Sequence, residues 1–419
     1  MLSPKSTETV RATLPAVSEA LGEITTLFYE KLFTAHPEWQ RHLFHRGNQA
    51  NGVQQQALAG AVAAFARRLL DHPDAMLTRI AHKHASLGVR PDQYPIVREH
   101  LFAAIAEVLG DGVTDEVVRA WDEVYWLMAH ALIAVEKRLL TEAGVPDGGV
   151  WRPYRVAARI EETDEVATFI LRPADGAPVP PSRPGQYVSV QVQLPDGARQ
   201  IRQYSLSGQP DNGLQISVKR AVGARRPGAP SDDPAGEVSG YLHAHVHGGE
   251  TLHLSPPFGD VVLGDDDGQG PLLFASAGIG CTPMIGMLSH LAATGSRRRI
   301  IAAHADRSPA THPFRTDLHR LTGKLTDATA DLWYEEGLRF GDGLPNGEER
   351  AEQQAGGTTD PVTVRTGLMD LTQITIPAGT TAYLCGPVPF MKNVRAQLLA
   401  SGVPASRLHY EVFGPDLGL

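Results

Sequence analysis

One histidine in the first third of this 419-residue chain has the setting of a metal ligand. His84 lies on an apolar helical face, because spacings of three and four residues place side chains on one side of a helix. The apolar neighbours at these spacings are Leu77, Ile80 and Leu87. His82 is two residues away and must point to nearly the opposite side. On spacing alone, a hydrogen-bonded core histidine is the more common explanation for such a position.

A second polar residue on an apolar stripe strengthens the metal hypothesis. Glu136 lies between Leu132 and Leu139 in a predicted helix. A buried charge without a partner costs several kcal/mol, so an inward carboxylate needs a donor. His84 would be that donor, and a carboxylate behind a metal-bound imidazole makes the ligand more electron-donating. Tyr94 is placed to donate its hydroxyl to the same carboxylate.

Two further residues are candidates for the opposite side of such a metal. Tyr29 follows Phe28 in a helical repeat, and Gln54 precedes Leu58 by four residues. A phenol and an amide can donate hydrogen bonds to a ligand in the distal space. An amphipathic tyrosine and a solvated glutamine are equally consistent with these positions.

A segment farther along the chain has the composition of a flavin site. A flavin needs a donor near its reactive nitrogen, a cation for its pyrophosphate and an aromatic ring over its own ring. Ser205, Arg202 and Tyr204 offer these groups in one extended segment. Gln203 lies between them, and Tyr187 could pack nearby. A polar strand edge would carry the same residue types.

Glycine-containing segments indicate a dinucleotide site. An apolar run from Leu272 leads to two glycines that let the backbone approach a dinucleotide, and then to a proline suited to a first helical turn. This variant of the glycine fingerprint is a weak signal alone. A Cys-Gly-Pro segment follows another apolar run, where parallel strands end at a crevice. The predicted contacts are Gly278, Ile279, Gly280, Cys281, Thr282, Pro283, Cys385, Gly386 and Pro387.

The elements that must position these residues follow from periodicity. Helical spacing continues to about Thr141, and Gly144–Gly149 then reads as a linker. Residues 188–194 and 214–218 alternate with a period of two, which predicts antiparallel strands of a small barrel or sandwich. The order of apolar run, glycine loop, helix and apolar run over 272–303 is typical of a parallel sheet. The helical repeats lie at 14–32, 58–69 and 117–139.

Three other segments complete this outline. Val238 and Ser239 are expected to begin a short helix whose amides meet a pyrophosphate. The stretches 223–236 and 338–359 are rich in Gly, Pro and charged residues, and we expect mobile surface loops there.

Composition and charge narrow the function classes. The length predicts two or three domains. The formal net charge of -9 argues against nucleic acid or an anionic membrane as partner. No apolar stretch approaches the roughly 20 residues that span a bilayer, and the amino terminus lacks the layout of a secretory signal. Both cysteines lie in the nucleotide motifs, so we expect a cytoplasmic protein without a structural disulfide.

These motifs together resemble the flavohaemoglobin family, in order and over nearly the whole chain. The resemblance implies an all-α globin domain at 1–143, an antiparallel β-barrel FAD domain at 151–263 and a ferredoxin-reductase-like NAD(P)-binding α/β domain at 270–419. The segments that carry it are Phe28–Phe33, Asn48–Gly52, Lys83–Ser86, Gln93-Tyr94, Arg183–Tyr187, Arg202–Ser205 and Glu411–Pro415.

The resemblance also implies roles for individual residues. His84 would be the proximal ligand of haem b, with Glu136 and Tyr94 as its polarising relay. Phe413 would cover the flavin until nicotinamide displaces it. The remaining implied contacts are Tyr29, Gln54 and Leu58 in the distal pocket, Phe44 on the haem, Lys83 at the haem border, and Glu411, Val412, Gly414 and Pro415 beside the flavin.

The implied activity is that of a nitric oxide dioxygenase. NADH or NADPH would reduce FAD, FAD would reduce the haem, and oxygen would oxidise nitric oxide to nitrate. The partners would be these small molecules, and we expect a monomer. An oxygen or nitric oxide store and a flavin-dependent reductase of hydroperoxides or small acceptors remain alternatives. Cys281 departs from the usual family residue. Asp306 and Arg307 give opposite indications for NADH or NADPH, since the acid suits a ribose hydroxyl and the arginine suits a phosphate.

Overall fold

The structure of the chain is a computed structural model that describes residues 2–47, 74–223, 235–264, 270–336 and 361–414. The predicted helical repeat at 58–69 lies outside the described residues, and so do Gln54, Leu58 and Pro415. Most of the stretches 223–236 and 338–359 also lie outside them.

The first part of the chain is helical, as the spacing predicted. Helix α1 begins where the Ser3 side chain accepts a hydrogen bond from the Ser6 amide, and α5 begins where Thr114 accepts one from Val117. The apolar faces of these helices meet in one core that includes Phe28. No described helix is long and apolar enough to span a bilayer. The helices are α1 (Pro4–Ala35), α2 (Pro37–His42), α3 (Asp74–Leu87), α4 (Gln93–Leu109) and α5 (Asp115–Glu142).

The second part is a closed antiparallel barrel, so the predicted change of period is confirmed. Its strand order is β1-β2-β5-β4-β3-β6. Val188, Val190 and Val192 alternate into the barrel core, which is why the period of two was visible in the sequence. The elements are β1 (Arg152–Thr163), β2 (Val166–Pro173), β3 (Tyr187–Gln193), β4 (Arg199–Gly208), β5 (Leu214–Lys219), helix α6 (Glu237–His245) and β6 (Thr251–Leu254).

The third part is a parallel six-stranded sheet in the order β10-β9-β8-β7-β11-β12. Two apolar cores cover it, and helices α7 and α9 contribute to different ones. Fully buried strands such as β7 and β11 explain the continuous apolar runs. The elements are β7 (Leu272–Ala277), α7 (Cys281–Ala293), β8 (Ile300–Asp306), α8 (Arg315–Lys324), β9 (Ala328–Tyr334), β10 (Val362–Thr366), β11 (Thr381–Cys385), α9 (Val388–Ala400) and β12 (Leu408–Glu411).

Candidate functional site

The imidazole of His84 is oriented by a buried carboxylate. Its Nδ1 lies 2.8 Å from Oε1 of Glu136, and Glu136 is only 3 % exposed. An ionised carboxylate can only accept a hydrogen bond, so Nδ1 donates and Nε2 keeps its lone pair. Helices α3 and α5 supply the two residues, and the predicted contact between them is confirmed.

Tyr94 completes this relay from helix α4. Its hydroxyl donates to the same Glu136 oxygen at 2.5 Å. The Tyr125 hydroxyl in turn donates to the Tyr94 carbonyl at 2.7 Å and anchors that residue. Burial, together with the adjacent Glu136, raises the pKa of Tyr94 well above its usual range, so the phenol stays a donor. The set leaves Nε2 of His84 as an imidazole nitrogen suited to a metal.

Tyr29 lies in a cluster of aromatic rings. Its ring stacks on Phe33 at 5.5 Å between centroids and meets the edge of Phe44 at 5.8 Å. Tyr29 is buried, and Phe44 packs against the same core from the segment after α2. The structure therefore brings together two of the four residues predicted for the haem pocket. The other two, Gln54 and Leu58, lie outside the described residues.

The other face of α3, on which the spacing placed His82, is turned toward the barrel. Nδ1 of His82 accepts a hydrogen bond from the Gly259 amide at 3.0 Å, and the ring lies edge-on to Phe258. Ser86, four residues along the same face, is fully buried. The helix that carries His84 is therefore also the docking surface for the rest of the chain.

A chain of hydrogen bonds crosses this contact. The Gln203 amide donates to Ser189 Oγ at 3.1 Å, and that hydroxyl donates to Ser86 Oγ at 2.9 Å. Ser86 donates to the carbonyl of Lys83 at 2.8 Å. A predicted flavin residue is thus joined to the residue beside His84. Sequence reasoning missed both serines. The four-residue spacing from His82 to Ser86 was a signal that could have found one of them.

The predicted flavin segment in β4 has two faces. Tyr204 packs against the barrel core. The Gln203 side chain instead bonds to Ser189, which bonds to Ser86 in α3. Successive strand residues alternate, so Arg202 shares the side of Tyr204 and Ser205 shares the side of Gln203. Partial burial lowers the pKa of Arg202 to about 10, which leaves it a half-buried cation at neutral pH.

Cations converge where the helical part meets this strand. Burial, with the nearby charges of Arg202 and Lys83, lowers the pKa of His45 to about 3, so His45 is neutral there. Arg46 pairs with Asp196 at 2.6 Å and with Glu237 at 2.8 Å. The Arg46 ion pairs were not visible in the sequence, because they join segments about 150 residues or more apart.

Helix α6 begins close to the predicted place. Its first residue is Glu237, and the Ser239 hydroxyl donates to the Gly236 carbonyl at 3.3 Å. Ser239 Oγ also accepts from the Ala221 amide at 3.1 Å, which ties the helix start to the end of β5. The amides of this turn are the predicted pyrophosphate contact.

The two glycine-containing loops of the third part touch each other. A Cβ on Gly280 would lie 2.4 Å from the carbonyl oxygen of Cys385, so this position has no room for a side chain. The loop after β7 packs so closely on the loop after β11 that position 280 needs a glycine. Close approach of a nucleotide to this backbone would be a second reason for a glycine here. Gly278 takes a φ of +53°, which favours glycine.

The side chains of both cysteines in these loops are buried. The thiol of Cys281 is buried and faces the Pro313 carbonyl at 3.9 Å. Burial raises the pKa of both Cys281 and Cys385, so both stay protonated and are free thiols. Their predicted cofactor contacts can only be made through the backbone. Pro283 and Thr282 lie in the first turn of α7, as expected.

Asp306 and Arg307, which gave a mixed signal, both have protein partners. One Asp306 oxygen accepts from the Thr311 hydroxyl at 2.6 Å and from the Arg307 amide at 2.8 Å. The Arg307 guanidinium pairs with Glu165 of the barrel at 2.9 Å.

The carboxyl-terminal segment returns to the barrel. Glu411 ends β12, and its charge acts on the phenol of Tyr187 in β3. Burial first, and then that charge, raise the pKa of Tyr187 above its usual range. Phe413, two residues on, is 47 % exposed. The predicted flavin residues of β3 and of the carboxyl terminus are therefore close in space.

Comparisons with known proteins agree with this architecture. The globin family matches residues 26–132. A crystal structure of flavohemoglobin from Malassezia yamatoensis with bound FAD and heme matches with a TM-score of 0.83 at 33 % identity, over 99 % of this chain and 100 % of that one. The fold and site thus define a globin joined to a ferredoxin-reductase-like oxidoreductase.

The sequence relatives extend over the full chain. Flavohemoproteins from Bordetella pertussis and Rhizobium meliloti are 41 % and 40 % identical to it, over 99 % and 100 % of this chain and 99 % of each relative. The chain belongs to the flavohemoprotein family. A FAD/NAD-binding domain of a nitric oxide dioxygenase from Vibrio cholerae matches 64 % of the chain and all of its own length, with a TM-score of 0.52 at 34 % identity.

Proposed function

We propose that this protein is a nitric oxide dioxygenase. The observation that carries the proposal is the hydrogen-bonded set of His84, Glu136 and Tyr94. The helix that carries His84 is joined to the flavin strand through Ser86 and Ser189. Bound FAD would divide the electron pair of NADH or NADPH into single electrons, with which haem b and oxygen convert nitric oxide to nitrate. Flavohemoproteins of the same length support the full set of cofactors.

The residues of this chain would hold and tune these groups. His84 would ligate the haem iron through Nε2, and Glu136 would hold the imidazole and increase its electron donation. Tyr29 would donate to a distal ligand, with Gln54 and Leu58 beside it, while Phe44 and Lys83 border the haem. Arg202 and the start of α6 would bind the flavin pyrophosphate, and Ser205 and Tyr187 would border the flavin ring.

The proposal includes the organisation of the chain. The proposed domain limits are 1–143, 151–263 and 270–419. The protein would act in the cytoplasm as a monomer on small molecules, without nucleic acid. The loops Gly278–Pro283 and Cys385–Pro387 would meet the nicotinamide nucleotide, since both follow parallel strands that end at one edge of the sheet.

Nitrate formation tests the function directly. Each nitric oxide that oxygen converts to nitrate takes up a single electron, so a nicotinamide nucleotide, which delivers an electron pair, supports a pair of nitrates. We expect this ratio when purified protein receives NADH, oxygen and nitric oxide. Catalytic turnover of hydroperoxide without nitrate would instead favour the flavin-dependent reductase, and binding without turnover would favour a store.

We expect Glu136→Gln to retain haem and slow turnover about ten- to a hundred-fold, the usual cost of losing a group behind a metal ligand. The amide keeps the size of the side chain and removes the negative charge that His84 Nδ1 meets at 2.8 Å. Resonance Raman spectroscopy of the iron–imidazole stretch should show a weaker bond. Tyr125→Phe, which leaves the carboxylate in place, is the matched control. Unchanged stretch and turnover would refute the relay.

We expect Arg202→Ala and Ser205→Ala to lower flavin content or slow flavin reduction while the haem spectrum stays intact. Arg202 is a half-buried cation on one side of β4, and Ser205 is buried on the other. The Arg202 variant should lose more flavin, because a charge-assisted bond to phosphate is about twice as strong as a neutral one. Flavin per polypeptide, measured by absorbance after release, checks this. Wild-type haem reduction by NADH in both variants would show that the flavin lies elsewhere.

A further inference from the structure

Arg79 lies where all three parts of the chain meet. It belongs to helix α3, five residues before His84. Its Nε donates to Asp260 Oδ2, in the segment after the last barrel strand, at 3.4 Å. Its Nη2 donates to the Tyr410 carbonyl in β12 at 3.1 Å. A single side chain thus contacts the barrel and the parallel sheet from the helical part.

The face of α3 explains how Arg79 reaches so far. Arg79, His82 and Ser86 are spaced by three and four residues, so they share one side of the helix. His82 and Ser86 both bond to the barrel side of the contact. Arg79 is at the end of this row, and its long side chain extends past the barrel to β12.

The contact with β12 is made to an edge strand. Within the described residues, β12 is the last strand of the sheet order and pairs with β11 alone. An edge strand presents backbone groups without a ladder partner, and Arg79 binds one of them at Tyr410. The guanidinium also lies over the Tyr410 ring, 4.9 Å from its centroid. Arginine suits this place because its planar group can donate and stack at once.

The junction borders the proposed flavin site. Tyr187 in β3 is buried beside Ser86, and the charges of Glu411, Asp260 and Arg79 all act on its phenol. Glu411 follows Tyr410 directly, so whatever holds Tyr410 in place also holds the start of the segment 411–414. Glu411, at the start of that segment, is therefore close to Tyr187.

We propose that Arg79 is a positioning residue that ties β12 to the haem-bearing helix and so keeps the segment 411–414 closed over the flavin beside Tyr187. The inference rests on the proposed function, since it assumes a flavin there. Because Arg79 belongs to the helix that carries His84, this contact would couple the position of that helix to the position of the segment over the flavin. The tie would favour electron passage to the haem and limit the loss of electrons from the flavin to dissolved oxygen.

The experiment uses the complete protein with its cofactors and the variant Arg79→Gln. Amide hydrogen exchange, followed by mass spectrometry, reports on the tie: we expect exchange at 408–414 to become about ten-fold faster, the effect of one lost charge-assisted interaction. Stopped-flow absorbance reports on its consequence. Flavin reduction by NADH should stay near the wild-type rate, while haem reduction slows about ten-fold and more of the electron pair passes from reduced flavin, with protons, to oxygen as hydrogen peroxide.

Two further variants make the result specific. Arg79→Lys keeps the charge and one donor, and should restore part of the haem reduction. Arg90→Gln removes an exposed arginine whose pair with Asp92 is local, and should change nothing, since such pairs contribute little. If Arg79→Gln does not fold, Asp260→Asn tests the same junction with a smaller expected effect.

The outcomes separate the possible failures. Unchanged exchange at 408–414 would overturn the tie, even if haem reduction slowed. Faster exchange with unchanged haem reduction and peroxide would reduce Arg79 to a structural role and overturn the positioning role. The flavin content of the wild-type protein is measured before any variant is made. A wild-type protein that binds no flavin would overturn the proposed function.

Discussion

His84→Ala should abolish haem retention, with loss of the Soret band and of iron from the purified protein. In the described residues, His84 is the helical histidine whose Nδ1 meets a buried carboxylate, at 2.8 Å. Removing the imidazole also leaves Glu136 without its charge-assisted partner in the core, where an unpaired charge is costly. The flavin site lies in other elements, so flavin content should be unchanged.

His82→Ala is the matched control for this result. His82 is two residues away and bonds to the Gly259 amide on the barrel side, so its loss should leave the Soret band in place. His304 can be compared with His84, because its imidazole also lies near a carboxylate. Its Nε2 is 3.5 Å from Asp306 Oδ2, in the third part of the chain. Its Nδ1 bonds to Ser276 and its ring stacks on His312. A full Soret band in His84→Ala would refute the assignment.

Tyr29→Phe should speed oxygen dissociation by roughly ten-fold or more. A hydrogen bond to a charged acceptor contributes about 1.5 to 3 kcal/mol, and about 1.4 kcal/mol corresponds to a factor of ten. The substitution keeps the ring and its stacking on Phe33 and Phe44, so the effect isolates the hydroxyl. Nitric oxide dioxygenation should weaken at low oxygen, and flavin reduction by NADH should not change.

Stopped-flow measurement of oxygen dissociation from the reduced protein checks this second expectation. Phe33→Leu is a suitable control, because it disturbs the aromatic cluster and leaves the Tyr29 hydroxyl. An unchanged rate in Tyr29→Phe would mean that the hydroxyl points away from the ligand. Gln54 would then be the candidate donor.

The relay shows why part of the site was predictable. His84 and Glu136 each lie on a helical stripe, and a periodic stripe reveals which way a side chain points before any packing is known. Burial then requires a partner for each polar group, and few partners face the same core. The same reasoning placed His82 on the opposite face of α3, where it contacts Gly259.

The strand segment shows where this reasoning stops. Arg202, Gln203, Tyr204 and Ser205 were expected to act together, but alternation divides them between two sides of β4. The contacts of each side depend on the barrel register, in which Gln203 is opposite Ser189. Register is set by how β4 pairs with its neighbouring strands and not by the residues of β4 alone.

By itself the sequence determined the order of helical, barrel and parallel-sheet parts and the inward direction of His84 and Glu136, since local periodicity and the cost of buried polar groups decide both. Only the tertiary structure decided that α3 is also the docking surface. The contacts of Ser86 with Ser189 and of Arg79 with Tyr410 join residues that are far apart in the chain. Such contacts depend on the relative placement of complete domains, which no local pattern encodes.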